Sequence, residues 1–376
     1  MTYDQIRFER DRAAVTGFRS GVSLHSHTLH SEESLGFIYR LAIGVAPIRM
    51  ALQHGEARYR AVHGGDLDLR RAWWTPPLAV HHAFQLEQSQ IQDRFGLRAL
   101  VSITDHDNIT GPLKLRVLSE CERVPVSVEW TVPFRGTFVH FGVHNLPLES
   151  ARDIMAELAA FTAIPAEERL GDLLEWLAAC PERLVVFNHP CWDEKGISHN
   201  NHMVIARELL NRFGSNLHAL ELNGLRPWAE NRDAILLARD YGKPVISGGD
   251  RHALEPNTIL NLTKAGSFSE FADEVRNGRS TVLITNQYSE PFFLRILQTI
   301  EDTLAYHENH GEGWRRWDER VFYRCEDGIA RSLATLWGGR GPLATRIFVN
   351  GVQMLRQPPL RQVFRATFAK REEVAL

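Results

Sequence analysis

Nine residues of metal-ligating type recur where short apolar runs of this chain end: His25, His27, Glu32 or Glu33, His106, Glu129, His140, His189, Asp250 and His252. The densest group lies in residues 21–33, where the run 22–24 leads directly into His25-Ser26-His27. On a strand, residues two apart point to the same side, so the two imidazoles face one way. Neutral imidazole is the commonest metal ligand among side chains. A lone His-x-His is a weak signal, and it is the recurrence of His, Asp or Glu at later strand ends that gives it weight. A set of imidazoles and carboxylates without cysteine suits zinc, manganese or iron. Nine candidates exceed the needs of one ion, so the pattern predicts two or three divalent metal ions with a carboxylate bridging them. Adjacent metals can activate a shared water near neutral pH and clamp a phosphoryl or carbonyl oxygen. The chain carries neither a Walker phosphate loop nor a GxSxG nucleophile elbow. Metal-assisted hydrolysis is the chemistry these residues predict.

The elements that must position these residues follow in order. Residues 1–19 read as a mixed-charge, partly helical lead-in. Strands are predicted at 20–25, 98–104, 124–130, 137–143, 183–187, 218–222, 244–247 and 281–285. Helices are predicted at 149–162, 167–180, 203–213, 229–241 and 268–277, the second with Leu170, Leu173, Leu174 and Leu177 on one face. Residues 36–77 are irregular and read as an insertion near the site. Its apolar part, 37–52, reads as a buried helix interrupted by Pro47. Thr75 followed by Pro76 signals a helix start, and Gly96 its end. Residues 291–376 break the rhythm and read as an appended element, with Trp314, Trp317 and Trp337 as packing residues.

Short strands alternating with helices predict an α/β fold with parallel strands. Polar clusters at the C-terminal ends of at least five strands favour a closed β/α ring over an open sheet, which gathers ligands at one crevice.

Composition bounds the function. The chain has 376 residues, 44% apolar and 24% charged, with a net charge of −3. Such a balance gives no electrostatic case for bulk nucleic-acid or membrane binding. No stretch approaches the length of a membrane span; the apolar run 41–48 is far too short. The four cysteines, Cys121, Cys180, Cys191 and Cys325, form no CxxC pair, which predicts reduced thiols and a cytoplasmic location. The N-terminus shows no signal-peptide apolar core.

The motifs taken together resemble the PHP (polymerase and histidinol phosphatase) family. They are His25-Ser26-His27-Thr28 with Ser31, then Ile103-Thr104-Asp105-His106-Asp107, Glu129, Val139-His140-Phe141-Gly142, Asn188-His189-Pro190 and Gly249-Asp250-Arg251-His252. The likeness spans about residues 20–285. It implies a distorted seven-stranded β/α barrel over residues 1–290, with the 36–77 insertion and the 291–376 appendage added, and a trinuclear metal site. By the same resemblance, His25, His27, Glu129 and Asp250 would hold one ion. Glu129, His140 and His189 would hold the second. His106, His252 and a carboxylate of the first motif would hold the third. Asp105 would orient a histidine ligand from behind, and Glu129, Asp250 and His252 are the expected catalytic groups. Where the family continues Ser-Asp-Gly, this chain has Ser31-Glu32-Glu33. The family's spacing selects Glu32, while a reshaped turn would bring in Glu33.

The remaining polar residues read more plainly. His81 and His82 are expected in a helix as packing or surface residues, and His199 and His202 in a solvated loop. His144 competes with His140 but fits the motif less well. Arg226, just past a strand end, is the better phosphate partner beside Lys195 and Arg251, the last of which is expected to point away from the ligands. The expected function is a metal-dependent phosphoesterase acting on a small phosphorylated metabolite or nucleotide. The rivals are a phosphodiesterase for which nucleic-acid ends are the substrate, and a non-enzymatic metal-binding module.

Overall fold

A computed structural model of the chain describes residues 5–11, 13–36, 38, 46–305, 316–339 and 341–367. Strands are numbered along the chain. One five-stranded sheet has the order β1 (Ile6–Phe8), β12 (Val282–Ile284), β11 (Ile259–Thr263), β2 (Ser20–Ser23), β5 (Arg98–Val101). A second runs β10 (Val245–Gly248), β9 (Ala219–Asn223), β8 (Leu184–Asn188), β7 (Thr137–Leu146), β6 (Val126–Phe134). A third, four-stranded, runs β14 (Ala330–Ser332), β13 (Val321–Arg324), β4 (Ala72–Trp74), β3 (Glu33–Ser34).

The fold is mixed α/β, and not every strand is parallel as expected. β2 and β5 are parallel, as are β8 with β9 and β9 with β10. β6, β7 and β8 are antiparallel to one another in turn. The reason is local. Only Arg135 and Gly136 separate β6 from β7, and their φ values of 49° and 78° make the tight turn that joins antiparallel strands. No helix fits in two residues, so no parallel crossover forms. The strand ladders do not close into a barrel among the described residues. The two five-stranded sheets meet at two isolated parallel bridges, Ser26 with Arg251 and His106 with Glu129.

The main core lies between the second sheet and its helices. Trp130, Phe141, Phe161 and Phe187 fill it. The helix Glu167–Ala179 buries Leu170, Leu173, Leu174 and Leu177, the face its spacing predicts. Burying each such side chain contributes about 1.5–3 kcal/mol. Several expected elements differ. Among the described residues of the lead-in, Ile6–Phe8 form β1, paired along β12, where partly helical chain was expected. β11 was not foreseen; it lies between β12 and β2, antiparallel to both. The helix before Gly96 begins at Val80, not at Thr75, whose backbone instead pairs with Arg320. Within the insertion, Ile38 is helical and a helix runs Ala46–His63, past the expected end at 52. Residues 37 and 39–45, with most of the run 41–48, lie outside the described residues, as does Trp314. Trp317 and Trp337 meet edge to face at 5.8 Å. The insertion and the appendage are joined, since β4 of the one pairs with β13 of the other.

Candidate metal centre

The bridge between Ser26 and Arg251 sets two tripeptides side by side, His25-Ser26-His27 and Asp250-Arg251-His252. The His27 N–H donates to Arg251 O at 2.8 Å, and the Arg251 N–H to His25 O at 3.3 Å. Alternation then turns His25, His27, Asp250 and His252 to one side and Ser26 and Arg251 to the other. His25, His189 and Asp250 also have left-handed backbones, with φ of 64°, 28° and 52°. Each lies one or two residues past the end of β2, β8 or β10. A non-glycine residue held in this region costs of order 1–3 kcal/mol and clusters at functional sites.

Glu129 lies at the centre, fully buried in the middle of β6. Its Oε2 is 2.8 Å from His25 Nε2, 3.3 Å from His27 Nε2 and 3.4 Å from His106 Nε2. Its Oε1 is 3.1 Å from His189 Nε2 and 3.9 Å from His140 Nδ1, and accepts from Asn188 Nδ2 at 3.0 Å. One oxygen thus faces each set of histidines, the disposition of a bridging carboxylate. Asp250 Oδ1 lies 3.6 Å from His25 Nε2 and 3.4 Å from His27 Nε2. Glu33 closes the far side: Oε1 is 3.4 Å from His27 Nδ1, and Oε2 is 3.4 Å from His106 Nε2 and 3.3 Å from His252 Nε2.

The electrostatics follow from this packing. Burial pushes the His25 imidazole down, but Glu129, Glu221 and Asp250 outweigh it and hold His25 well above its ordinary value. Burial likewise pushes Glu129 up, yet His25 and His106 hold it well below the carboxylate range. Asp250 and Glu33 are depressed against burial by their histidine neighbours. Burial together with the charges of His252 and His106 outweighs Glu33 at His27, which falls to about 4. His252, against burial, is raised to about 9, chiefly by Glu33. The carboxylates therefore draw protons onto neighbouring imidazoles. A divalent cation provides the same compensation while displacing those protons.

The residues fit such a cation. Four sets of ligand atoms each lie within 4.8 Å of one another: His25, His27, Glu129; His25, His189, Asp250; His27, Glu33, His252; and Glu129, His140, His189. His27 Nε2 is buried without a hydrogen-bond partner. Eight of the nine residues expected as ligands are brought together here, and Glu32 is not. Glu32 is exposed, and the carboxylate facing His27, His106 and His252 is that of Glu33. Pairing with β4 and a 2.6 Å hydrogen bond from Ser31 Oγ turn Glu33 inward. Among the described residues Asp105 is placed on Thr28 and not on a histidine ring: it accepts from Thr28, at 2.5 Å from N and 2.9 Å from Oγ1, and burial raises it to about 7.

The residue behind a ligand is one the motifs do not mark. Glu221 Oε1 lies 2.6 Å from His25 Nδ1, and its Oε2 accepts from the His189 N–H at 2.8 Å. Its signal was an acid within the apolar strand 218–222. The other histidines weighed from the sequence are placed outside the cluster. His144 Nδ1 lies 2.9 Å from Ser102 Oγ, and burial lowers it to about 3. His202 Nε2 meets Pro190 O at 3.0 Å, and His199 is exposed. His81 and His82 lie in the helix Val80–Phe95. Arg251 points away, its Nη1 3.1 Å from Glu87 Oε1. Arg226 stacks 3.6 Å above the Trp192 ring, with Nη2 3.7 Å from Asp250 Oδ2. Lys195 lies over Phe138 at 3.9 Å.

No family model and no curated protein matches the chain. Among solved structures, PsfC from Pseudomonas syringae PB-5123 aligns with 75% of this chain and 98% of its own, at 15% identity and a TM-score of 0.41. An amidohydrolase from Chromobacterium violaceum, with bound sulfate and no metal, aligns over 61% of this chain and 87% of its own, at 16% identity and a TM-score of 0.34. A candidate metal-dependent phosphoesterase from Bifidobacterium adolescentis aligns over 69% and 96%, at 14% identity and a TM-score of 0.37. Likeness at this level assigns nothing to individual residues, and the function must be argued from the site itself.

Proposed function

We propose that the protein is a metal-dependent hydrolase that cleaves a phosphate monoester of a small metabolite or nucleotide. The observation that carries the reading is the convergence of six histidines and three carboxylates on a buried centre around Glu129. His25, His27, Glu33, His106, Glu129, His140, His189, Asp250 and His252 would hold two or three zinc, manganese or iron ions. Bound divalent ions supply Lewis acidity and an activated water. The chain's own part is positional. Glu129 presents an oxygen to each set of histidines. Arg226, steadied on Trp192, is placed to take a phosphate oxygen beside Asp250, in the bidentate manner of guanidinium groups.

The ring reading of the fold belongs to this proposal. Followed through the two bridges, the strands run β2, β5, β6, β7, β8, β9, β10 and return to β2, seven in all. No helix among the described residues is long and apolar enough to cross a membrane. The cytoplasmic location we propose rests on the four free cysteines. The test is elemental analysis of protein prepared without chelators, followed by a screen of phosphate mono- and diesters with added zinc, manganese or iron. The expected result is bound transition metal and monoester turnover that Glu129→Ala abolishes along with metal. Trace metal and no turnover would overturn the reading. Turnover of diesters alone would favour the nucleic-acid rival, and metal without any turnover the non-enzymatic one.

A further inference from the structure

Trp74 touches the metal centre on two sides and the appendage on a third. In the ladder of β3 and β4 its backbone pairs with Glu33. Its indole lies 5.7 Å from the His252 imidazole, tilted by 33°. Across β4, its other backbone partner is Val321 of β13. Two ligands of one metal position, Glu33 and His252, therefore meet at a residue that the appendage holds.

The lengths of these strands matter. β3 has two residues and β4 three. An isolated ribbon, even a longer one, is marginal in water and needs a third strand or a packed face. β13 supplies that third strand, backed by β14. Further ties fix β4 to the appendage. The Thr75 N–H donates to Arg320 O at 2.9 Å, and Arg320 Nη1 donates to Thr75 O at 2.8 Å. Phe322 stacks on Trp73 at 5.6 Å. Arg320 is 1% exposed, and its Nη2 donates to Thr303 O in the helix Phe292–Leu304. The appendage therefore reaches His252 through β4 and Trp74.

We propose that the appendage is a working part of the metal centre: through Trp74 it sets Glu33 against His252, and the ion between them binds only while β4 and β13 are paired. The inference rests on the metal-centre reading above. An appendage that merely packed on the flank would not touch the ladder that carries Glu33. The ions held by Glu129, His140 and His189 draw on β6, β7 and β8 and do not depend on it.

The experiment compares metal content and chelator competition, with zinc and with manganese, in the full-length wild type, Phe322→Pro, Trp74→Ala and Glu33→Gln. Proline in the middle of β13 removes a backbone donor from the ladder. Glu33→Gln defines the ion that belongs to this position. Circular dichroism and the melting profile report whether each variant remains folded. The expected result is that Phe322→Pro and Trp74→Ala stay folded and lose, or hold at least tenfold more weakly, the same ion as Glu33→Gln, while the remaining ions are retained. If Phe322→Pro does not fold, Trp74→Ala decides alone. A folded Trp74→Ala that keeps every ion with wild-type chelator resistance overturns the inference. A wild type without transition metal overturns the metal-centre reading itself, and with it this one.

Discussion

Ser26 and Arg251, bridged backbone to backbone, both turn their side chains onto the same buried carboxylate. Ser26 Oγ donates to Glu87 Oε1 at 2.7 Å, and Arg251 Nη1 lies 3.1 Å from that oxygen. Ser23 Oγ donates to Oε2 at 2.7 Å, which leaves Glu87 fully buried and fully engaged. The group clamps from behind the two tripeptides whose outer residues face the proposed metal centre. Removing one partner of a buried pair strands the other charge, at a cost of about 3–5 kcal/mol. Glu87→Ala is expected to lose that much in urea unfolding, and the double variant with Arg251→Met to recover part of it. A Glu87→Ala protein of wild-type stability would show that the pair contributes nothing.

Glu221 fixes His25 from the other side. A carboxylate on the far nitrogen sets the tautomer and raises the basicity of a ligating histidine, and its loss typically costs about 10–100-fold in metal affinity. Glu221→Gln is expected to fall in that range in chelator competition with zinc, with the far-ultraviolet dichroism unchanged. Wild-type affinity in this variant would make Glu221 a packing residue.

The carboxylate of the first motif is decided by two alanine substitutions. Glu33→Ala is expected to lower metal stoichiometry, because Glu33 faces three imidazoles within 3.4 Å. Glu32→Ala is expected to leave it alone, because Glu32 is exposed. The reverse outcome would show that the turn rearranges when metal binds.

His218 gives a pH dependence unrelated to the metals. The Val185 N–H donates to its Nδ1 at 2.9 Å, and Arg276 Nη1 lies 2.7 Å from Nε2. Burial, then the charges of Arg276 and Lys243, lower it from 6.5 to about 3. Between those values the unfolded chain takes up a proton that the folded chain refuses. The contribution of this site is therefore fully present above about pH 6.5 and is lost as pH falls, with a slope of up to about 1.4 kcal/mol per pH unit. Urea midpoints of chelator-treated protein between about pH 8 and pH 5 should fall on acidification. His218→Gln should flatten that fall, and an equal fall in the variant would remove His218 as its cause.

Much of the centre could be read from the sequence because most of the residues proposed as ligands sit just past strand ends, where apolar runs leave a visible pattern. His25, His27, His106, His189, Asp250 and His252 stood out in this way, while Glu129 and His140, inside β6 and β7, stood out as polar residues within apolar runs. Between Glu32 and Glu33 the motif spacing favoured Glu32, because the inward orientation of Glu33 comes from a strand pairing with β4, some forty residues away, that no local pattern encodes. Glu221 and Glu87 were hidden for a related reason: each lies inside an element and acts on a neighbour distant in sequence. The β6–β7 hairpin was misread as part of a parallel alternation, although Arg135-Gly136 between two apolar runs carried the signal for a tight turn. The joining of insertion and appendage could not be read, since short strands pair by tertiary context and carry little propensity of their own.

The left-handed backbones at His25, His189 and Asp250 set thermal robustness against chemistry at three identifiable positions. Glycine or asparagine would relax each of them. Directed evolution of this protein for heat tolerance alone, carried out on metal-free material, would be drawn to these codons and would erase the proposed ligands while improving the score. A selection scheme that keeps metal present at every round would protect them, because binding energy then favours the strained conformers.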